Sequence, residues 1–233
     1  MKRTQLALCA TLVAQALGFS ACARADESAR VIPAPLVDET KAHAGATEVA
    51  VFSGGCFWGM QGLFEHVKGA REVVAGYAGG SAATAQYETV SGGSTGHAES
   101  VKITFDPSVV TYGEILRVFF SVAHDPTELN RQGPDTGTQY RSDIFFANPT
   151  QEKIARAYVA RLSRAHVFND PIVTRIDRFA GFYPAEGYHQ DYLLHNPESL
   201  YIVINDLPKI ANLKRLYPDL YRDTPVRLAS AWH

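Results

Sequence analysis

One cysteine lies where a protein can make a thiol reactive. Cys56 follows two glycines and precedes two aromatic residues in the segment Gly54-Gly55-Cys56-Phe57-Trp58-Gly59. The apolar run 49–52 predicts a strand before it, and apolar residues at helical spacing from 60 to 67 predict a helix after it. Because unpaired N–H groups and the helix dipole favour an anion at a helix start, we expect a lowered Cys56 pKa and a nucleophilic thiolate.

The two aromatic residues beside this thiol have two readings. Phe57 and Trp58 could line an apolar pocket for a small methyl-bearing group. A buried cysteine in a glycine-rich turn, with aromatic neighbours that serve only as core, explains the same residues. The residue types alone leave both readings open.

A carboxyl group is the second chemical candidate. Glu99 ends the segment Gly96-His97-Ala98-Glu99, and the alternating residues 100–105 that follow predict a strand with one buried face. His97 and Glu99 would share a face if this strand began early. Burial beside aromatic walls would raise the pKa of Glu99 and let it donate a proton. A solvent-exposed pair at a strand edge is the alternative.

Three polar side chains in predicted loops complete the candidates. The hydroxyls of Tyr87 and Tyr140 could hydrogen-bond a substrate oxygen, and Asp135 could orient such a hydroxyl. Loop tyrosines most often have no chemical role, and we interpret His189 and Gln190 as structural. Eight scattered histidines and one available cysteine predict no metal site.

The other two cysteines, Cys9 and Cys22, lie in an apparent export signal. Two basic residues precede the apolar run 6–19, which is shorter than the ~20 apolar residues of a membrane span. Cleavage after Ala25 is one route, and lipidation of Cys22, whose context Phe-Ser-Ala-Cys resembles a lipobox, is the other. An uncleaved amphipathic helix is a third reading. Either cleavage predicts export to the bacterial periplasm, with an envelope anchor if Cys22 is lipidated.

Composition and patterning set the fold class. The 233 residues carry a formal net charge of −2 with 46% hydrophobic and 20% charged residues, which excludes a wholly disordered chain and gives no electrostatic reason for nucleic-acid binding. Residues 26–47 read as a polar linker or arm. Predicted strands cover 49–52, 71–78, 100–105, 144–146, 172–177 and 200–204; predicted helices cover 60–67, 111–123, 149–162 and 185–195, with a weaker one over 213–220. This alternation predicts a layered α/β or α+β domain.

Four segments together resemble a known family. Residues 55–59, Gly-Cys-Phe-Trp-Gly, look like the active-site signature of the A-type peptide methionine sulfoxide reductases. The similarity continues in order through 96–99, through 135–142 (Asp-Thr-Gly-Thr-Gln-Tyr-Arg-Ser) and through 185–190 (Ala-Glu-Gly-Tyr-His-Gln). It spans roughly Glu48 to Ile204, and it implies that 48–233 is a single catalytic domain with a C-terminal tail.

The resemblance implies roles around the thiol. Cys56 would attack the sulfur of methionine-S-sulfoxide, free or in oxidised proteins, while Phe57 and Trp58 cradle the substrate methyl. Methionine would leave, and Cys56 would become a sulfenic acid. The implied fold is an α+β, two-layer ferredoxin-like sandwich core with additional helices and long coil segments.

The resemblance also implies roles around the oxygen. Glu99, protonated, would donate to the sulfoxide oxygen. Tyr87 and Tyr140 would hydrogen-bond the same oxygen, and Asp135 would support the site. A sulfoxide oxygen leaves poorly unless it is protonated, so an acid is needed alongside the thiol.

One departure from the family concerns the second half of the redox cycle. Many members carry resolving cysteines toward the C-terminus, and this sequence has none after Cys56. We therefore expect a monomeric one-cysteine enzyme with no bound cofactor. Its sulfenic acid would be reduced by an external thiol: a thioredoxin-like protein, glutathione or another small thiol.

Two other functions compete. A cysteine hydrolase or acyltransferase would use Cys56, His97 and Glu99 as nucleophile, base and orienting group. A non-enzymatic envelope protein would bind ligands in a Phe57 and Trp58 pocket without turnover. The four segments in order favour the reductase over both.

Overall fold

The computed structural model describes residues 29–228, so the predicted signal segment, Cys22 and the cleavage point after Ala25 lie outside the described residues. The strands are β1 (Glu48–Ser53), β2 (Ala70–Ala78), β3 (Ala98–Phe105), β4 (Arg131–Gln132), β5 (Asp135–Thr136), β6 (Asp143–Phe146), β7 (Arg175–Arg178) and β8 (Phe182–Pro184). The α-helices are α1 (Phe57–Glu65), α2 (Tyr87–Val90), α3 (Tyr112–Val118), α4 (Pro149–Arg164), α5 (Tyr192–His195) and α6 (Leu207–Leu216).

The order of the strands identifies the core. Six strands form one sheet in the order β7-β6-β1-β3-β2-β8. Each of its four central strands is antiparallel to its neighbours among them, and the chain runs through them as β1-α1-β2-β3-α3-β6. This is the βαββαβ ferredoxin-like connection. The predicted α+β, two-layer ferredoxin-like class is confirmed, with β7 and β8 added at the two edges.

Local sequence explains why the paired elements form. Thr111 and Glu114 make the predicted capping box at the start of α3: Glu114 N–H donates to Thr111 Oγ1 and Thr111 N–H donates to the Glu114 carboxylate. At the start of α4 the Asn148 side chain accepts from Gln151 N–H (2.9 Å), and Pro149 lies in the first turn. Both helices bury their apolar residues in the main core on one face of the sheet.

The described part of the arm packs on the helical side of the domain. Ile32 is 1% exposed and lies in the main core. Asp38 accepts hydrogen bonds from Thr111 Oγ1 (2.6 Å) and Gly113 N–H (2.9 Å), so it satisfies donors at the start of α3. Tyr158 O–H donates to Pro33 O (2.8 Å). The described part of the arm therefore contributes Ile32 to the core and contacts the start of α3.

Several sequence predictions need correction. The predicted strand 200–204 is wrong, because residues 200–206 are helical. Ile202–Asp206 form a π turn that continues into α6. The predicted helix 185–195 divides into a 3-10 turn, Gly187–His189, and the short α5. The predicted loop that holds Tyr87 contains α2, and the loop after 125 contains the β4–β5 hairpin.

None of the helices between residues 29 and 228 has the length and apolar character needed to cross a bilayer.

Candidate active site

The turn between β1 and α1 places the thiol. Gly55 has φ +92°, a left-handed conformation, and an added Cβ there would meet the Gln132 side chain at 2.7 Å. Cys56 is the N-cap residue of α1, and its carbonyl accepts from Met60 N–H. The cysteine is 9% exposed. The sequence has no other cysteine between residues 29 and 228.

A buried carboxyl group shares this helix start. Glu99 lies in β3 and is 4% exposed, and its Oε2 accepts from Phe57 N–H at 3.0 Å. Burial, with a smaller contribution from Asp135, raises the pKa of Glu99 to about 8 against the lowering effect of that N–H. Glu99 is therefore protonated at neutral pH and holds a proton beside Cys56.

The expected lowering of the Cys56 pKa is wrong. Burial raises the thiol pKa well above its usual range, and the nearby carboxyl groups of Glu99 and Asp206 add to the effect. The backbone N–H of Trp58 at the start of α1 acts in the opposite direction, as the helix-start argument supposes, but it is outweighed. The resting group is a neutral thiol.

The other predicted oxygen-binding residues surround this pair. Tyr87 and Tyr140 are half-buried, and burial raises the pKa of both hydroxyls. The next cause in each case is Glu99, and Cys56 contributes as well, so both rings lie close to the thiol and the acid. The structure thus brings together Cys56, Glu99, Tyr87 and Tyr140 from four separate parts of the chain.

Asp135 joins the site through a tyrosine that the sequence reading missed. The Tyr201 hydroxyl donates a hydrogen bond to Asp135 Oδ2. Burial raises the pKa of that hydroxyl, and Cys56 is the next cause, which places Tyr201 near the thiol too. The ring of Tyr201 meets the Trp58 ring edge-on at 5.8 Å. Tyr201 was missed because residues 200–204 read as a strand.

The aromatic pair forms one wall of the site. Phe57 is 1% exposed, and its ring lies 5.9 Å from the Tyr77 ring. Trp58 is half-buried and stacks on Tyr192 with centroids 3.8 Å apart and an angle of 12°. Trp58 Nε1–H donates to His189 Nδ1 at 3.1 Å. His189, interpreted from sequence as structural, therefore lies in this wall.

His97 is occupied elsewhere. Its Nδ1 accepts from Gly80 N–H (3.2 Å) and its Nε2 lies 2.9 Å from Ser81 O, so both ring nitrogens have backbone partners. It is 1% exposed. A ring held in this way has no free nitrogen to deprotonate Cys56, and the arrangement gives no support to the hydrolase alternative.

A second carboxyl group approaches α1 from the C-terminal helix. Asp206 ends the π turn and lies 3.5 Å from Lys209 Nζ. It packs so closely on α1 that a Cβ added to Gly59 would fall 1.9 Å from Asp206 Oδ1. The glycine after Trp58 thus admits this carboxyl group, and sequence reasoning missed Asp206 because it lies between the predicted strand 200–204 and the predicted helix 213–220.

We expect Gly59→Ala to lower the free energy of unfolding by about 1 to 2 kcal/mol, because the clash outweighs the gain in helix propensity. Urea denaturation followed by circular dichroism measures it. Gly92→Ala is the matched control: its added Cβ would meet Thr89 O at an ordinary 3.4 Å, so the change should stay within about 0.5 kcal/mol. Equal stabilities of the two variants would contradict the close packing of Asp206.

Residues 29–228 include no group of three or more His, Cys, Asp or Glu side chains arranged to hold a metal ion. The groups that meet at the described site are a thiol, carboxyl groups and tyrosine hydroxyls. Such a set can transfer a proton to an oxygen while a sulfur nucleophile attacks next to it.

Comparison with known proteins gives one consistent answer. The family model described as "Peptide methionine sulfoxide reductase" matches residues 48–219. "Peptide methionine sulfoxide reductase MsrA 2" of Mesorhizobium japonicum is 60% identical, over 81% of this chain and 96% of that protein. A protein of the same name from Synechocystis is 50% identical, over 82% of this chain and 90% of that one.

Two solved structures have a similar fold. The reduced form of Mxr1 from Saccharomyces cerevisiae superposes with a TM-score of 0.59 at 31% identity, over 70% of this chain and 92% of that one. Methionine sulfoxide reductase A of Corynebacterium diphtheriae gives 0.57 at 35% identity, over 71% and 83%. The chain belongs to the peptide methionine sulfoxide reductase family, and it is an oxidoreductase that reduces methionine sulfoxide.

Proposed function

We propose that this chain is a one-cysteine reductase of methionine-S-sulfoxide in which Cys56 takes the oxygen and Glu99 supplies the proton. One observation carries the proposal: Glu99 Oε2 accepts the N–H of the residue that follows Cys56, so the acid and the thiol share one helix start. The raised pKa of Glu99 keeps that proton available at neutral pH.

The first step balances with these two groups. Cys56 Sγ attacks the sulfoxide sulfur while Glu99 gives its proton to the oxygen, which forms an S–S adduct bearing a hydroxyl. The bond from that sulfur to oxygen then breaks and the hydroxyl passes to Sγ, while the S–S bond breaks and its electron pair goes to the methionine sulfur. Methionine leaves with two more electrons, and Cys56 becomes a sulfenic acid. The proton lost by the thiol restores Glu99.

The remaining side chains hold the substrate. Tyr87 and Tyr140 hydrogen-bond the oxygen, and Asp135 supports the site through the hydrogen bond that it accepts from Tyr201. Phe57 and Trp58 face the methyl group. Oxygen, methyl group and sulfur thus meet three different sets of side chains, and this three-point contact selects one configuration at sulfur, the S epimer.

The second half of the cycle needs a thiol from outside the chain. Cysteines occur at 9, 22 and 56 alone, so no resolving cysteine follows the catalytic one. A first external thiol attacks the sulfenic acid, releases water and leaves a mixed disulfide. A second thiol then frees Cys56 and carries away the disulfide. A thioredoxin-like protein or glutathione fits this chemistry.

We extend the proposal to where the enzyme works: exported to the bacterial periplasm, as a monomer, repairing oxidised proteins or reducing the free sulfoxide. Its support is the basic start and the apolar run 6–19. Intact mass of the protein isolated from bacterial cells tests the export. Cleavage after Ala25 gives a protein that begins at Asp26, lipidation adds acyl mass at Cys22, and an uncleaved chain would overturn the proposal.

We expect purified protein treated with one equivalent of methionine sulfoxide, without reductant, to gain about 16 Da, the mass of one oxygen atom. The reason is that nothing in the chain can resolve the sulfenic acid. Intact mass spectrometry measures the gain, and dithiothreitol should reverse it. Release of methionine without a mass change, or an acyl adduct at Cys56, would contradict the proposed chemistry.

A further inference from the structure

His189 is the centre of the aromatic wall. It is 2% exposed. Its ring lies 4.4 Å from Tyr87, 5.0 Å from Phe57 and 4.2 Å from Tyr188, measured between centroids. The ring makes one hydrogen bond within residues 29–228, which it accepts from Trp58 Nε1 at 3.1 Å; the buried Nε2 has no hydrogen-bond partner there.

This bond fixes the state of the imidazole. An indole N–H can only donate, so Nδ1 of His189 must present a lone pair and the proton must lie on Nε2. A doubly protonated ring would turn an N–H toward the indole N–H. Burial lowers the pKa of His189, and it outweighs the raising effect of Glu186, the charged group that faces the ring. The neutral ring is therefore the ordinary state.

Glu186 does not compete for the ring. Its Oε2 accepts from Tyr77 O–H (2.8 Å) and its Oε1 accepts from Tyr87 N–H (3.0 Å). The carboxylate is thus held by β2 and α2. The one hydrogen-bond acceptor that the His189 ring offers remains directed at Trp58.

Three contacts hold the Trp58 ring, and each restricts a different motion of the indole. Stacking on Tyr192 at 3.8 Å sets the plane of the indole, and the edge contact with Tyr201 limits its sliding. Neither contact is directional within the plane of the ring. The hydrogen bond to His189 is directional, so it fixes the rotation of the indole in that plane.

We propose that His189 is a positioning residue that fixes the rotation of Trp58 and thereby sets how large an alkyl group on the substrate sulfur the wall accepts. This inference rests on the proposed function, in which Trp58 faces the methyl group. An indole held in one rotation fits a methyl group closely and excludes an ethyl group. An indole free to turn makes room for either one.

The test compares two variants of similar size and shape. Asn at position 189 presents an acceptor oxygen where His189 has Nδ1, and Leu presents no acceptor. The readout is a ratio of two kcat/KM values, measured with dithiothreitol as reductant. The numerator is kcat/KM for methionine-S-sulfoxide, and the denominator is kcat/KM for the sulfoxide of the same configuration that carries an ethyl group in place of the methyl group. We expect His189→Leu to lower this ratio about tenfold, the worth of one hydrogen bond, and His189→Asn to keep it within about threefold.

A double-mutant cycle separates positioning of Trp58 from a general effect on the fold. In a Trp58→Phe background the donor is absent, so His189→Leu should change the ratio by less than about twofold. Equal losses of the ratio in the two backgrounds would overturn the proposal, as would equal effects of Leu and Asn.

The wild-type protein supplies a test that needs no folded variant. Nitrogen-15 NMR of labelled protein reports which nitrogen of His189 is protonated at neutral pH. We expect the proton on Nε2, and a proton on Nδ1 would overturn the proposal even if His189→Leu does not fold. Failure of the proposed function looks different, because wild-type protein would then show no thiol-dependent reduction of either sulfoxide.

Discussion

Cys56→Ser is expected to abolish reduction of methionine sulfoxide, with a loss on the order of 10³-fold or more and no loss of the fold. A serine hydroxyl fills the space of the thiol but is a far weaker nucleophile and cannot form a sulfenic acid. Because the site lies at a helix N-cap, where serine is favoured, the substitution should leave α1 in place. A coupled assay with dithiothreitol measures the rate, and circular dichroism checks the fold.

The matched control replaces the other cysteines that the full chain carries. Cys9→Ser and Cys22→Ser in the full-length chain should leave its activity within about twofold, because the proposed export removes Cys9 and either removes or lipidates Cys22, so neither thiol takes part in the reaction. Retention of substantial activity by Cys56→Ser would remove the thiol from the reaction. Formation of a Cys22–Cys56 disulfide, in place of the sulfenic acid, when the full-length chain is treated with methionine sulfoxide without reductant would show that the external-thiol scheme is wrong, since Cys22 would then act as a resolving cysteine.

The positions of α3, α4 and β3 could be predicted because their sequence signals are local. Two helix starts were predicted from their capping residues, Thr111 with Glu114 and Asn148. The alternation of apolar and polar residues over 100–105 predicted a half-buried strand. These features depend on neighbours within one turn or one strand, so the sequence shows them directly. The residues that meet at the site were predicted differently, from the resemblance of four segments to a known family.

The C-terminal half of the site could not be predicted, because its conformation depends on tertiary contacts. Residues 200–204 have the β-branched, apolar character of a strand, yet only Ile202 is fully buried and the segment folds as a helix against α1. That helix delivers Tyr201 and Asp206 to the thiol. Sequence spacing alone gives no sign that residues about 150 positions apart meet in this way.

The direction of the Cys56 pKa shift was predicted wrongly for a different reason. The helix-start rule was applied correctly, since the Trp58 N–H does lower the thiol pKa. What the rule omits is the depth of the site and the carboxyl groups that fold around it. Desolvation acts on the charged form of thiol and carboxyl alike, so the same burial that keeps the Glu99 proton in place also keeps the Cys56 proton in place.

Glu99→Gln is expected to slow the reductive step by about 10² to 10⁴-fold while the dissociation constant for methionine sulfoxide changes little. Gln keeps an oxygen to accept the Phe57 N–H, so the local structure persists, but it has no proton to give the sulfoxide oxygen. Single-turnover kinetics separates the chemical step from binding. Glu88→Gln, an exposed carboxylate beside Tyr87, is the matched control and should stay within about twofold of wild type.

The pH dependence gives the same residue a second signature. The pKa of Glu99 is raised from 4.5 to about 8, so the acid is protonated below pH 8 and its protonated fraction falls about tenfold per unit above that. The rate of the wild-type reductive step should therefore carry a limb that decreases above pH 8, set against the rise from ionisation of Cys56. Glu99→Gln should lack this limb, whereas Glu88→Gln should keep it.

The free energy of unfolding should also decrease as the pH rises and Glu99 loses its proton. Because the folded state holds the Glu99 proton more tightly than the unfolded chain does, this group's contribution is complete below pH 4.5 and is lost as the pH rises toward 8. Glu99→Gln has no such proton, so its stability relative to wild type should improve between pH 5 and pH 8 in urea denaturation. Parallel stability curves, with equal losses in binding and rate, would make Glu99 a structural residue and leave the sulfoxide oxygen without its acid.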